Sequence, residues 1–343
     1  MSTADLFSVP LDRPTISFEL YPPRSQKGAA KLDRTVTELA AAGPDFFSIT
    51  YGAAGKTRDS SRDLVRQIIT DTGVAPIAHL TCVGASRAEL RAVIEDLLSE
   101  GVRDFLALRG DPPAGDAHWR PHPEGLHRAS ELVHLLRELE SEAFGRSQPA
   151  GRLPRPSGND GAFGLAAGAP ASAGGACGPG AQAQSLSISV AAYPGGRYDR
   201  AGQPEVCPND IAALVEKQKA GADFAITQLF FDARHYAELV RLARQAGVHI
   251  PILAGVIPLT DPNRLRRLHD LTGVPIPPRL LDLLDSAPTR EEAYRRGLQV
   301  SKDLLTEVLA AGAPGLHVYT FNSAAPSLDL LHSVGLVSTP SLS

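Results

Sequence analysis

Eight short runs rich in β-branched and aromatic residues alternate with helix-forming stretches along most of this chain, and that alternation limits the folds open to it. The runs are TISFELY (15–21), FFSITY (46–51), IAHLTC (77–82), DFLALRG (104–110), SLSISVAAY (185–193), FAITQLFF (224–231), IPILAGVIP (250–258) and GLHVYTFN (315–322). Between them, KLDRTVTELAAAG, SRAELRAVIEDLLSEG, PNDIAALVEKQKAG and HYAELVRLARQAG are amphipathic and end at glycine, a common helix stop. Strands that are each followed by a helix build a parallel sheet. Eight of them close most naturally into a barrel, whereas an open doubly wound sheet usually has fewer. No GxGxxG follows the first strand, which also argues against a dinucleotide-binding sheet. The expected fold is therefore α/β, a single (β/α)8 TIM barrel spanning residues 1–343.

Two regions depart from the alternation. Residues 145–184 are dense in Gly, Pro, Ala and Ser without sustained periodicity, and read as a disordered low-complexity insertion within the barrel. It falls between the fourth helix and the fifth strand, at the end opposite the site face of such a barrel, so it is expected to be dispensable for chemistry. Between strands seven and eight, PPRLLDLLDS and TREEAYRRGLQVSKDLLTEVLAAG predict two extra helices rather than one. With 43% hydrophobic residues and a net charge of -4, the chain has the balance of a globular protein and no basic stripe for nucleic acid. No apolar run approaches the roughly 20 residues of a membrane span, and MSTADLFSVPLDRP lacks the regions of a signal peptide, so a cytoplasmic location is expected. Cys82, Cys177 and Cys207 are too scattered for a metal or disulfide framework.

In such barrels chemistry gathers where strands end, and polar residues collect there. In the first run Ile16, Phe18 and Leu20 share one face, leaving Ser17, Glu19 and Tyr21 on the other. A carboxylate inside a strand belongs to a wet outer face or to a site that pairs it or keeps it protonated, because its desolvation costs several kcal/mol, roughly. Thr50 closes the second run. His79 and Thr81 share a face of the third, Arg109 and Asp111 end the fourth in LRGDPP, Tyr193 ends the fifth and Gln228 interrupts the sixth. Each has an ordinary structural reading: a satisfied core histidine, a local Arg109–Asp111 ion pair, a solvated Asp210–Lys217 pair two helical turns apart. The loop YGAAGKTRD invites anion binding but lacks P-loop spacing.

Taken in order, SFELYPPR, FSITYGAAGKTRD, HLTC, ALRGDPP, VAAYPGG, KAGADFAITQLFFD and HVYTFN resemble the motif set of methylenetetrahydrofolate reductases, from about residue 14 to 336. The resemblance implies a barrel flavoprotein that uses FAD and NAD(P)H to reduce 5,10-methylenetetrahydrofolate to 5-methyltetrahydrofolate, supplying methyl groups for methionine synthesis. It makes Glu19 the general acid that protonates N10 of the folate, opening the ring to a 5-iminium cation, a task that calls for a carboxyl still holding its proton near neutral pH. Asp111 would bind the pterin and stabilise that cation. Gln228 would hydrogen-bond the pterin, and Phe230 or Phe231 could stack on it. The FAD positions implied are Thr50, Tyr51, His79, Arg109, Gly110, Asp111, Ala129, Tyr193, Arg197, Asp210 and Lys217, the last two reaching ribose and diphosphate.

Several positions depart from the family pattern. Arg128 stands where relatives can have an aromatic residue, and Arg197 where a histidine can contact flavin. YTFNS replaces YTLNR, so Ser323 lacks the folate-contacting charge, and Arg264 could supply a replacement cation for the substrate's glutamate tail. Competing readings are a flavin-free reductase or a non-catalytic folate-binding paralogue; a Schiff-base aldolase is disfavoured, since none of the eight runs contains lysine. NADH against NADPH, and monomer against homo-oligomer, are left open.

Overall fold

The computed structural model describes residues 3–7, 12–23, 25–50, 56–110, 120–145 and 185–337. Among the described residues there are ten strands: β1 (Thr15–Leu20), β2 (Phe46–Ile49), β3 (Ala75–Thr81), β4 (Asp104–Leu108), β5 (Ser187–Ala192), β6 (Arg197–Tyr198), β7 (Pro204–Glu205), β8 (Phe224–Thr227), β9 (Ile252–Val256) and β10 (Gly315–Tyr319). All but β6 and β7 form a closed parallel barrel in the order β1-β10-β9-β8-β5-β4-β3-β2. Its eight strands coincide with the eight runs, most of them trimmed at their ends, although β3 begins two residues before its run. β1 closes the ring: Glu19 lies level with Ser48 of β2 on one side and Tyr319 of β10 on the other.

Around the barrel stand α1 (Gln26–Ala41), α2 (Lys56–Thr72), α3 (Arg87–Ser99), α4 (Ala129–Phe144), α5 (Pro208–Lys219), α6 (Ala233–Gln245), α7 (Pro262–Thr272), α8 (Pro278–Asp285), α9 (Arg290–Ala310) and α10 (Ala324–Ser333). Local chemistry fixes their ends. Ser86 and Glu89 form a reciprocal capping box before α3, and the four glycines expected to stop helices, at 43, 101, 221 and 247, all have positive φ. The odd positions of β1 point inward and the even ones outward. Phe18 and Leu20 are fully buried against Leu32, Val36 and Leu39 of α1, each such side chain contributing about 1.5–3 kcal/mol.

The lower barrel is filled by Phe46, Ile77, Leu106, Phe224, Ile226 and Leu253. A 3-10 helix at Thr3–Phe7, not foreseen from the sequence, covers it. Thr3 donates through its backbone N–H (2.9 Å) and hydroxyl (2.6 Å) to Asp104. Its hydroxyl also meets Ser187 at 2.6 Å, and the Phe7 ring lies 5.1 Å from that of Phe224. Burial holds the Asp104 carboxyl above its ordinary range, with the Thr3 bonds opposing.

Three findings correct the expected layout. Three helices, α7 to α9, separate β9 from β10 rather than two, because DPNRLRRL begins with an Asp cap and a proline at the first helical turn. The β6–β7 hairpin follows β5, its residues too few to show a period-2 pattern. The sixth run ends at Thr227, so Gln228 follows the strand instead of interrupting it. α9 presses on the barrel mouth: a Cβ at Gly297 would fall 1.8 Å from the Leu259 carbonyl oxygen, and Ser301 accepts from Leu259 N at 2.9 Å. That contact fixes the segment leading to α7. The proposed insertion lies almost wholly outside the described residues.

Candidate active site

Two carboxylates lie on the described barrel strands, and they sit at opposite ends. Asp104 opens β4 at the covered floor, whereas Glu19 lies near the end of β1 with its side chain 18% exposed. The opening strand therefore has no wet outer face: its polar side points into the barrel. Below Glu19, the fully buried His317 of β10 pairs through Nδ1 with Ser17 Oγ at 2.8 Å and through Nε2 with Ser48 Oγ at 3.1 Å. Its Nε2 is 3.9 Å from Glu19 Oε2, and the ring stacks on Phe46 with an interplanar angle of 18°.

The end of β10 grips the end of β1. Thr320 Oγ1 donates to the Glu19 carbonyl at 2.7 Å. Asn322 accepts from Tyr21 N at 3.0 Å and donates to Tyr21 O at 2.8 Å, completing a two-point side-chain clamp. To do so the chain enters the left-handed region at Phe321 (φ 50) and Asn322 (φ 52), a conformation that disfavours non-glycine residues, asparagine least. Beside them Tyr319 donates to the Thr227 carbonyl at 3.0 Å. This close approach needs Gly255, where a Cβ would meet Tyr319 Cε2 at 2.8 Å. Burial, reinforced by the charge of Glu19, holds the Tyr319 phenol well above its usual range.

His79 comes from β3 and is 6% exposed; its Nε2 is buried and has no hydrogen-bond partner among the described residues. Burial lowers its pKa to about 4, Glu19 opposing and His317 assisting, so the ring is neutral near pH 7. A neutral imidazole with a free polar atom facing the barrel interior is a ready partner for a ligand. On the β5 side, Lys217 is buried rather than solvated. Its Nζ donates to Ala191 O at 2.8 Å and lies 5.5 Å from the centre of the Tyr193 ring. Burial lowers Lys217 to about 8, with Asp210 opposing and Arg109 assisting. Tyr193 itself is 42% exposed.

Of the other expected site residues, Thr50 follows β2 and is half-buried, its N–H bonded to Leu20 O at 3.0 Å. Arg109 and Gly110 lie in the loop after β4. Gly110 has φ +83, and a Cβ there would meet Val83 Cγ1 at 2.5 Å, so only glycine fits. Ala129 is the first residue of α4, buried, beside the exposed Arg128, which pairs with Glu216. Arg197 is exposed on β6, where its carbonyl meets His235 Nε2. Gln228 is half-buried and its Oε1 accepts from Leu229 N at 2.9 Å. Phe230 is buried against Tyr236, whereas Phe231 is half-buried and packs on the cluster around Leu229, Ile257 and Leu259. The Arg264 guanidinium lies 5.4 Å from the centre of the Phe321 ring, next to the clamp and two residues before Ser323, the N-cap of α10. Tyr51 and Asp111 lie outside the described residues. His317, Ser17, Ser48 and Asn322 were not foreseen, because their partners lie some 300 residues away in sequence.

Among the described residues no group of His, Cys, Asp and Glu is placed to hold a metal, and no helix is long and apolar enough to cross a membrane. A family model described as methylenetetrahydrofolate reductase matches residues 8–148 and 180–335. The 5,10-methylenetetrahydrofolate reductase of Escherichia coli (strain K12) is 29% identical over 94% of this chain and 90% of its own length. The probable methylenetetrahydrofolate reductase (NADH) of Oryza sativa subsp. japonica is 28% identical over 96% of this chain and 50% of its own, so the chain spans about half the length of that relative. Among solved structures, an uncharacterized protein from Clostridium thermocellum that binds two copies of 5-methyl-5,6,7,8-tetrahydrofolic acid aligns with a TM-score of 0.56. At 13% identity over 94% of each chain, that likeness is one of fold.

Proposed function

The chain belongs to the methylenetetrahydrofolate reductase family, and from that premise we propose that it reduces 5,10-methylenetetrahydrofolate to 5-methyltetrahydrofolate with electrons from NADH or NADPH, feeding methionine synthesis in the cytoplasm. The observation that carries this reading is Glu19, a carboxyl at the open end of a barrel whose other end is filled with apolar side chains. Its proton passes to N10 of the folate. The bond from N10 to the methylene carbon then breaks, its electron pair staying on nitrogen, and the cation left at N5 and that carbon accepts hydride.

The side chains at the mouth fit FAD. His79 Nε2 is an orphaned buried polar atom, Lys217 is a cation against the half-exposed Tyr193 ring, and the loop after β4 turns at Gly110, where a Cβ would strike Val83. Those residues, with Thr50, Arg109, Ala129, Arg197 and Asp210, would hold the cofactor, joined by Tyr51 and Asp111 on the resemblance alone. When bound, FAD supplies the hydride relay between NAD(P)H and the folate. Gln228 offers its amide to the pterin, Asp111 an anion to the developing cation, and Arg264 a cation to a carboxylate of the glutamate tail.

The test is spectroscopic. Purified protein should be yellow, bleach with NADH or NADPH, and recover its colour with methylenetetrahydrofolate. Glu19→Gln should still bleach but fail to recover with folate. Equal loss of both steps would return Glu19 to a structural role, and a colourless protein would overturn the assignment of FAD.

A further inference from the structure

We propose that Tyr319, the last residue of β10, and Thr320 after it are positioning residues, a brace that sets the span between Glu19 and Gln228 and so the fit of the folate between proton donor and pterin amide. This rests on the reading of those two residues given above and deepens it. The strands that carry them are not neighbours: in the ring, β10 and β9 stand between β1 and β8. Tyr319 and Thr320 reach them in opposite directions. Thr320 Oγ1 donates to the Glu19 carbonyl at 2.7 Å, and the Tyr319 hydroxyl donates to the Thr227 carbonyl, one residue before Gln228, at 3.0 Å. A backbone carbonyl can only accept, so both bonds have one possible direction. The phenol keeps its proton throughout, because burial holds it well above its usual range.

The barrel is built to let the phenol across. The ladder between β8 and β9 pairs Ala225 with Ile252 and Ile226 with Leu253. Above it, Thr227 Oγ1 accepts from Gly255 N at 2.8 Å, while the carbonyl of the same residue takes the phenol. The ring passes β9 at Gly255, where a Cβ would fall 2.1 Å from Thr227 O and 2.8 Å from Tyr319 Cε2. On its other sides the ring meets His317 edge to face, with centroids 5.2 Å apart, and packs on the cluster that holds Leu229 and Ile257. At the far end, Gln228 N donates to Ala192 O at 2.8 Å and Gln228 Oε1 accepts from Leu229 N at 2.9 Å, which turns the Nε2 hydrogens over to a ligand. A folate that meets the carboxyl at N10 and the amide at its pterin is sensitive to their spacing, since a misplacement of about 1 Å can cost about 100-fold in rate.

The experiment is a double-mutant cycle. Tyr319→Phe keeps the ring and removes only the hydroxyl. Re-oxidation of the reduced protein by methylenetetrahydrofolate is followed in the unsubstituted protein, Tyr319→Phe, Gln228→Ala and the double variant, as limiting rate divided by half-saturating folate. Tyr319→Phe alone should lower that ratio about tenfold, whereas in the Gln228→Ala background it should lower it less than about twofold, because the group it positions is gone. A tyrosine that merely supports the fold would give the same factor in both backgrounds. That result overturns the proposal, as does an unchanged ratio in Tyr319→Phe. Thr320→Val, which removes the bond to the Glu19 carbonyl, tests the other arm and serves where Tyr319→Phe does not accumulate: its limiting rate should fall about tenfold and be largely restored in Thr320→Ser. Equal rates in those two variants overturn the brace. Failure of the unsubstituted protein to be re-oxidised by folate overturns the functional reading, and the brace's role with it, and is seen before any variant is made.

Discussion

Asn322 is the residue whose removal most directly tests how the end of β1 is held. Its side chain makes two hydrogen bonds to the Tyr21 backbone, at 3.0 and 2.8 Å, from a left-handed conformation with φ 52. Each bond is worth about 1 kcal/mol net, so their loss should cost about 2 kcal/mol. Alanine in the same conformation adds about 1 kcal/mol of backbone strain, whereas glycine adds almost none. Asn322→Ala should therefore lose about 3 kcal/mol and Asn322→Gly about 2 kcal/mol, read from urea unfolding at unchanged slope. Both should also slow folate-driven re-oxidation, since the Glu19 carbonyl is tied to the same turn through Thr320. Equal losses for Ala and Gly would refute the strain component. A loss below about 0.5 kcal/mol in both would refute the clamp itself.

Two further outcomes follow from charges at the mouth. Lys217 sits near 8 because burial disfavours its ammonium, so its charge is present below that pH and lost above it. FAD affinity, measured by fluorescence titration, should weaken as pH rises through about 8, and Lys217→Met should bind more weakly with that pH dependence gone; a dependence that persists in the variant would remove Lys217 from the diphosphate site. Arg264→Ala should raise the folate KM about tenfold while NAD(P)H oxidation by a quinone acceptor continues; an unchanged KM would show that no substrate anion sits over Phe321.

Much of the barrel was legible in the chain because period-2 and period-3.6 patterns are local. Ile16, Phe18 and Leu20 announced an apolar face, and the same alternation put Ser17 and Glu19 together on the other. Whether that face met water or the barrel interior could not be read from six residues; it depended on β2 and β10 arriving on either side. The same limit hid His317, an ordinary polar residue in GLHVYTFN until Ser17 and Ser48 are brought to it. Lys217 and Asp210 looked like a surface pair at helical spacing, and only the Tyr193 ring and the Ala191 carbonyl show that the lysine is covered. The hairpin at β6 and β7 and the 3-10 segment at Thr3–Phe7 left no pattern at all, being too short for a period to show.

That first segment has a consequence in time. Thr3 is made well before its partners Asp104 and Ser187, which follow it by 101 and 184 positions. On a ribosome Thr3 must wait, undocked, until Ser187 has emerged. Until then Phe46, Ile77 and Leu106 can assemble only an unfinished floor, because Phe224 and the strands that complete the ring have not yet been synthesised. The segment at Thr3–Phe7 thus docks only after Ser187 and Phe224 have followed it, and the barrel is sealed from below only once its later strands exist.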